Sequence, residues 1–158
     1  MGDRRLNLEQ ALVKLAPQVR VIRRSSIYDT APQENPNQPR FLNMVVRAQT
    51  TLPPEHLLAL AKSIEGALGR VASPPNSPRP IDIDILFYDK LIQQSPGLVI
   101  PHPRLAQRSF VLVPLAEIAP RLLHPCTQKT VREMLSELRP ETPDEIKCHL
   151  EKEPPCIN

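Results

Sequence analysis

The chain has 158 residues, 41% of them hydrophobic and 23% charged, which are the proportions of a folded globular domain. It has 20 prolines but only 4 glycines, so neither a glycine-rich phosphate-binding loop nor a dinucleotide-binding glycine motif can be present. The net charge of +3 is too small to indicate nucleic acid, and no apolar run approaches the roughly 20 residues of a membrane span. The cysteines include no C-x-x-C pair and suit a reducing compartment, so we expect one cytoplasmic domain that binds neither nucleic acid nor a membrane.

The first half of the chain is predicted to mix helices and strands. Apolar spacing predicts a helix over 8–15, and β-branched content predicts strands over 19–28 and 41–49. The stretch 31–39 between these strands is rich in proline and asparagine and predicts a long loop. A second helix is predicted over 54–69, where one apolar stripe follows a proline and ends near a glycine.

The second half begins with a proline-rich loop, predicted over 71–80. Alternating isoleucine and aspartate then predict a strand over 81–88. Helices are predicted over 110–118, despite an internal proline, and over 130–138, which opens with a capping-box spacing. Residues 140–158 are charged and flanked by prolines, which predicts a weakly packed tail with one or two helical turns. The elements lack the regular alternation of a doubly wound sheet, so we predict an α+β fold.

Asp82 and Asp84 are the clearest candidate for chemistry. On a strand their carboxylates would leave the same face with Cα atoms about 6.6 Å apart, because side chains repeat every two residues. Two such carboxylates repel each other unless a cation lies between them, and hard oxygen ligands favour Mg²⁺. The alternative is a solvent-facing strand on which Arg79 serves as an ion-pair partner.

Cationic side chains surround this pair in the sequence, and arginine suits phosphate because its planar group donates two hydrogen bonds at once. These side chains are Arg70, Arg79, Arg104 and Arg108. His102 lies between two prolines, where a rigid loop residue is more common than a catalyst. The same reservation applies to His124, and a zinc site there would need two further ligands that the sequence does not place.

Several blocks of the chain, in order, resemble the 6-hydroxymethyl-7,8-dihydropterin pyrophosphokinases of folate synthesis. The blocks are SSIYDTAP at 25–32, QPRFLN at 38–43, IEGALGR at 64–70, PRPIDIDIL at 78–86 and IPHPRLAQRSFVLVPLAEIAP at 100–120. The resemblance extends over residues 3–138. It implies a ferredoxin-like αβα sandwich with a mainly antiparallel sheet, and transfer of pyrophosphate from ATP to the pterin hydroxymethyl group with release of AMP.

The resemblance also implies roles for individual residues. The pair Asp82 and Asp84 would hold two Mg²⁺ ions that bridge the ATP phosphates, and with Arg79 and His102 it makes up the catalytic set. The pterin would contact Thr30, Phe41, Asn43 and Phe110. ATP would contact Lys62, Glu65, Arg70 and Arg108. The partners expected are these two small molecules alone, and we expect a monomer whose pyrophosphokinase domain is 1–139, followed by the tail 140–158.

The chain departs from the family pattern at two places. The loop predicted over 71–80 has Ala72 and Asn76 where the family carries arginine and tryptophan, and the family's first strand, which ends in Gly-Ser-Asn, has no counterpart before the first helix. These departures keep a second hypothesis open, a catalytically impaired homologue that binds pterin or nucleotide without turnover. We therefore expect the 158-residue form to be marginal or inactive and the natural product to begin upstream. A nucleotide-sugar transferase would explain the D-x-D pair but not the other blocks.

Overall fold

The computed structural model describes residues 4–30, 41–69, 81–138 and 146–148, with Phe41 and 146–148 described by their backbone alone. The loops predicted over 31–39 and 71–80, together with Arg70 and Arg79, lie outside the described residues.

The described residues form an α+β structure with four α-helices, as the sequence predicts. The helices are α1 (Arg4–Leu15), α2 (Pro54–Ala67), α3 (Ser109–Ile118) and α4 (Val131–Glu137). The strands are β1 (Val19–Arg24), β2 (Tyr28–Thr30), β3 (Phe41–Asn43), β4 (Val46–Thr50), β5 (Gln93–Ser95), β6 (Leu98–Ile100) and β7 (Ile146–Cys148). α2, α3 and α4 lie in the segments in which apolar spacing or a cap predicts them, whereas α1 begins at Arg4, four residues before the predicted helix.

The strands pair antiparallel in three small sheets. β1 pairs with β4 from Val19 opposite Thr50 to Arg24 opposite Val46. β2 lies between β3 and β7, with Tyr28 opposite Asn43. β5 and β6 form a hairpin that the sequence analysis did not predict. β7 belongs to the segment for which the sequence predicted helical turns, so that expectation is wrong for 146–148.

The two long strands predicted over 19–28 and 41–49 are each divided at the same level. Ser25 is the reason, because its side-chain hydroxyl takes the place of a backbone carbonyl as the acceptor for the facing strand. Its backbone N–H donates to the Val45 carbonyl at 2.8 Å, and its Oγ accepts from the Val45 N–H at 2.9 Å while donating to the Ser26 carbonyl at 2.7 Å. On the other side of Ser25 and Val45, the strands β2 and β3 form a separate pair.

The strand predicted over 81–88 is wrong for the described structure, since this segment is assigned to no strand and no helix. Its sidedness is as predicted, because Ile81 is buried while Asp82 and Asp84 are exposed. Among hydrogen bonds between described backbone groups, the segment accepts at Leu86 from the His102 N–H at 2.9 Å. A strand requires a partner for its backbone groups as well as an alternating sequence.

The apolar residues form two core clusters. One joins α1 and α2 and is built from Ala11, Leu15, Val19, Ile64 and Ile81. The other joins α3 and α4 and is built from Leu105, Leu112, Leu115, Val131 and Met134. The segment 81–88 touches both clusters, because Ile83 packs against the first and Phe87 against the second. The segment with the two aspartates is thus anchored at several points by its apolar side chains.

Candidate functional site

A cavity of about 1020 Å³ opens between the two core clusters. Its apolar wall comes from α1, β4 and α3, and its polar wall includes Asn43, Asp82 and Asp84. Phe110, at the start of α3, also lines it. The cavity therefore brings together residues from three of the sequence blocks that carry the family resemblance, although they are far apart along the chain.

The two carboxylates of the D-x-D pair lie on the accessible side of their segment. Asp82 and Asp84 are exposed, whereas Ile81 is only 8% exposed and Ile83 is half-buried. No group of three or more histidine, cysteine, aspartate or glutamate side chains that could hold a metal occurs among the described residues. A cation here would therefore have two protein carboxylates and would complete its shell with water and a phosphate-bearing ligand, which is the usual arrangement for Mg²⁺.

His102 lies near Asp84, and a hydrogen bond defines the orientation of its ring. Its Nδ1 accepts from the Arg104 N–H at 3.2 Å, so the neutral ring carries its proton on Nε2. Burial lowers the pKa of His102 below its ordinary value, the Asp84 carboxylate opposes that shift, and Arg108 and Arg104 reinforce it. The imidazole is therefore neutral at pH 7 and offers one N–H donor near the Asp84 carboxylate.

Three of the four residues predicted to contact a pterin meet in the β2–β3 pair. Thr30 lies opposite Phe41, and the Asn43 Nδ2 donates to Thr30 Oγ1 at 2.7 Å. Thr30 is 4% exposed, so its hydroxyl is placed to orient the Asn43 amide. The fourth residue, Phe110, has the Arg108 guanidinium 5.4 Å from its ring centroid. An amide and an aromatic ring thus both border the cavity.

Lys62 and Glu65 form an ion pair one turn apart on α2, with 3.3 Å between Nζ and Oε1. The Glu65 side chain is 1% exposed and the Lys62 side chain 50% exposed. The pair therefore presents the ammonium to solvent, while its carboxylate is held inside. Arg70 and Arg79, the remaining predicted contacts, fall outside the described residues.

The sequence analysis passed over one carboxylate that connects two elements far apart in the chain. Glu117, in the last turn of α3, accepts from the Ser26 N–H at 2.9 Å, the Ser26 hydroxyl at 3.0 Å and the Tyr28 hydroxyl at 2.7 Å. Its partners lie about 90 residues earlier in the chain, so no local spacing could have indicated it.

The fold and the site define a small α+β protein with paired carboxylates at the mouth of a cavity. The family model for 7,8-dihydro-6-hydroxymethylpterin-pyrophosphokinase matches residues 1–120, and the chain belongs to this family. The resemblance inferred from the sequence blocks is thereby confirmed. The described residues contain no helix that is both long enough and apolar enough to cross a bilayer.

Individual relatives agree with this assignment. The chain is 45% identical over 142 residues to a 2-amino-4-hydroxy-6-hydroxymethyldihydropteridine pyrophosphokinase of Methylorubrum extorquens, covering 89% of both proteins. It is 44% identical over 119 residues to a mitochondrial folate synthesis bifunctional protein of Pisum sativum, covering 75% of this chain and 23% of the relative. It is 39% identical over 134 residues to a folic acid synthesis protein of Dictyostelium discoideum, covering 85% of this chain and 20% of the relative. The chain thus spans about a fifth of these longer relatives.

Proposed function

We propose that this protein transfers pyrophosphate from ATP to 6-hydroxymethyl-7,8-dihydropterin and releases AMP. The observation that carries this proposal is the cavity on which the accessible pair Asp82 and Asp84 borders together with Asn43 and Phe110. In the reaction the pterin hydroxyl oxygen forms a bond to the β-phosphorus, the bond from that phosphorus to the α–β bridging oxygen breaks, and the hydroxyl proton leaves. Transfer of this kind depends mainly on positioning and on neutralising phosphate charge.

The donor set fits Mg²⁺ as a cofactor, because the described residues form no cluster of three metal ligands, and two accessible carboxylates leave room for water and phosphate oxygens. Asp82 and Asp84 would hold the metal, and we propose two ions, as the family resemblance implies. Bound Mg²⁺ supplies charge neutralisation for the triphosphate. ATP as the co-substrate follows from the same proposal.

The cationic and hydrogen-bonding groups near the pair would orient the nucleotide. His102 keeps a fixed tautomer through Arg104, so its Nε2–H is available to a phosphate oxygen. The Arg108 guanidinium, beside the Phe110 ring, would offer positive charge to the phosphates. Lys62 extends from α2 with its ammonium exposed, and we keep Arg70, Arg79 and Glu65 in the ATP-contacting set on the family resemblance.

The pterin would lie between the β2–β3 pair and the first turn of α3. The Asn43 amide offers a donor and an acceptor to a pterin ring edge, with its orientation supported by Thr30. Phe110 and Phe41 would contact the two ring faces. A flat heteroaromatic substrate gains from such aromatic walls because they bury apolar area.

The alternative function is binding of pterin or nucleotide without turnover, and Ala72 and Asn76 are the observation that favours it. One experiment separates the two functions: incubation with ATP, Mg²⁺ and the pterin, followed by measurement of AMP, alongside titration of pterin binding. AMP formed only when all three are present supports the pyrophosphokinase. Pterin binding without AMP supports the impaired homologue. If neither AMP nor pterin binding is detected, both functions are refuted.

We further propose that the sheet is of ferredoxin-like type and that a further strand fits beside β4. The cavity is lined along β4 by Val46–Thr50 and along the other side by the segment 81–88. A strand layer of about 4.8 Å by 10 Å by 3.3 Å per residue occupies about 160 Å³ per residue, so a strand of about three residues between β4 and 81–88 would take up about half of the cavity and leave the part bordered by Asn43 and Phe110. Lengthening the chain at its N-terminus by a strand-forming segment should raise the melting temperature and slow amide exchange in β4. Unchanged values for both would refute this arrangement.

Three further expectations stay proposals. We propose that catalysis resides in 1–139 with 140–158 as a tail, and that the protein is a cytoplasmic monomer. Because β7 pairs with β2, removing the tail should loosen β2 more than α4, which amide exchange can measure. Equal exchange in both elements would contradict the expected support of β2 by the tail.

A further inference from the structure

Glu117 connects the last turn of α3 to the segment that joins β1 to β2. Its Oε1 accepts from the Tyr28 hydroxyl at 2.7 Å, and its Oε2 accepts from the Ser26 N–H at 2.9 Å and the Ser26 hydroxyl at 3.0 Å. Hydrogen bonds to an ionised carboxylate are shorter and stronger than neutral ones. One side chain thus holds two consecutive parts of the chain, the segment after β1 and the first residue of β2.

This connection joins the two walls of the proposed pterin pocket. Phe110 and Glu117 are seven residues apart in α3, so they lie on one helix face with about 10.5 Å of rise between them. On the other wall, Tyr28 lies directly opposite Asn43 in the β2–β3 ladder, and Thr30 shares the Tyr28 face of β2. Glu117 therefore holds the strand position next to Asn43, while the same helix carries Phe110.

The walls depend on this carboxylate because the elements between them are short. β2 has three residues, and the preceding residues, 25–27, belong to no strand. Pro114, between Phe110 and Glu117, has no N–H to donate to the Phe110 carbonyl, so α3 lacks one of its own hydrogen bonds on this stretch. A tie at the C-terminal end of α3 limits how far the helix can tilt away from β2.

We propose that Glu117 is a positioning residue that sets the separation of Phe110 from Asn43 and thereby controls pterin affinity. This inference rests on the proposed function, since it takes the pterin as the ligand of the pocket. Glu117 touches neither substrate in this scheme and acts through Tyr28, Ser26 and α3. Of the ATP-contacting residues, Lys62 and Glu65 lie on α2 and Arg108 directly precedes α3, so we expect the larger effect on the pterin and the smaller one on ATP.

The test compares Glu117→Ala, Glu117→Gln and Tyr28→Phe with Glu137→Gln as the matched control. Glu137 is also an exposed helix carboxylate with a short contact, 2.7 Å to the Lys129 ammonium, but it lies on α4. For each variant we would titrate hydroxymethyl-dihydropterin by its fluorescence in the presence of a non-hydrolysable ATP analogue, titrate the analogue separately, and record the melting temperature.

We expect Glu117→Ala to weaken pterin binding about tenfold or more while the affinity for the ATP analogue changes less than twofold. Glu117→Gln and Tyr28→Phe should weaken it less, because each keeps part of the hydrogen bonding, and Glu137→Gln should match wild type. These two milder variants keep the test valid if the alanine variant does not fold.

Two results would overturn the inference. Pterin affinity unchanged in all variants, or pterin and ATP-analogue affinities lowered equally, would mean that Glu117 only stabilises the fold. A wild-type chain that binds no pterin would overturn the proposed function, and the inference with it, before any variant is considered.

Discussion

Replacing either carboxylate of the D-x-D pair should remove activity without removing the fold. Asp82→Asn and Asp84→Asn each change an exposed side chain, so we expect the free energy of unfolding to change by less than about 0.5 kcal/mol. Loss of the repulsion between the two carboxylates acts in the stabilising direction. Turnover should nevertheless fall below a tenth of wild type, a barrier increase of more than about 1.4 kcal/mol.

The neighbouring apolar residue should behave in the opposite way. Ile81 is 8% exposed and packs in the core cluster of α1 and α2, so Ile81→Ala should cost about 2–5 kcal/mol of stability. Because Ile81 also borders the cavity, it has fewer contacts to lose, and we expect the lower end of that range. This corresponds to a fall in melting temperature of about 4–8 °C.

The assay measures AMP release at saturating ATP and pterin over a range of Mg²⁺ concentrations, with thermal unfolding in parallel. Asp89→Asn is the matched control, because Asp89 is an exposed carboxylate at the end of the same segment and its φ of 49° is one that asparagine tolerates. The two-metal assignment fails if Asp82→Asn or Asp84→Asn keeps more than a tenth of the rate. It also fails if Asp89→Asn loses as much activity as they do.

Three further predictions concern histidine and a helix cap. His102→Ala should lower kcat more than it raises KM for ATP, and a raised KM with unchanged kcat would assign His102 to ground-state binding. Burial lowers the pKa of His124 below its ordinary 6.5, so protonation favours the unfolded chain and stability should fall below pH 6.5. His124→Asn should reduce that loss between pH 7 and pH 5 in unfolding measurements, and identical pH profiles would contradict this. Thr130→Ala should remove the α4 capping box and lower stability by about 1 kcal/mol with activity retained, whereas Thr130→Ser should stay near wild type.

Features that depend on neighbouring residues could be predicted from the sequence. The capping box at Thr130 and Glu133 spans one helical turn, and both of its hydrogen bonds are present. The spacing of Asp82 and Asp84 likewise placed both carboxylates on the exposed side and Ile81 on the buried side. Such patterns are readable because side-chain direction repeats with the local backbone period.

The paired strands and the walls of the site were decided by contacts between distant parts of the chain. Alternation over 81–88 predicted which side would be buried but could not supply the backbone partner that a strand needs, so the segment is no strand among the described residues. Ser25 divided two predicted strands through Val45, twenty residues away. Glu117 met Tyr28 across 89 positions of sequence. A hydrogen bond depends on where two groups meet in space, so local sequence determined the helices, caps and sidedness, and only the tertiary structure decided the pairing and the site.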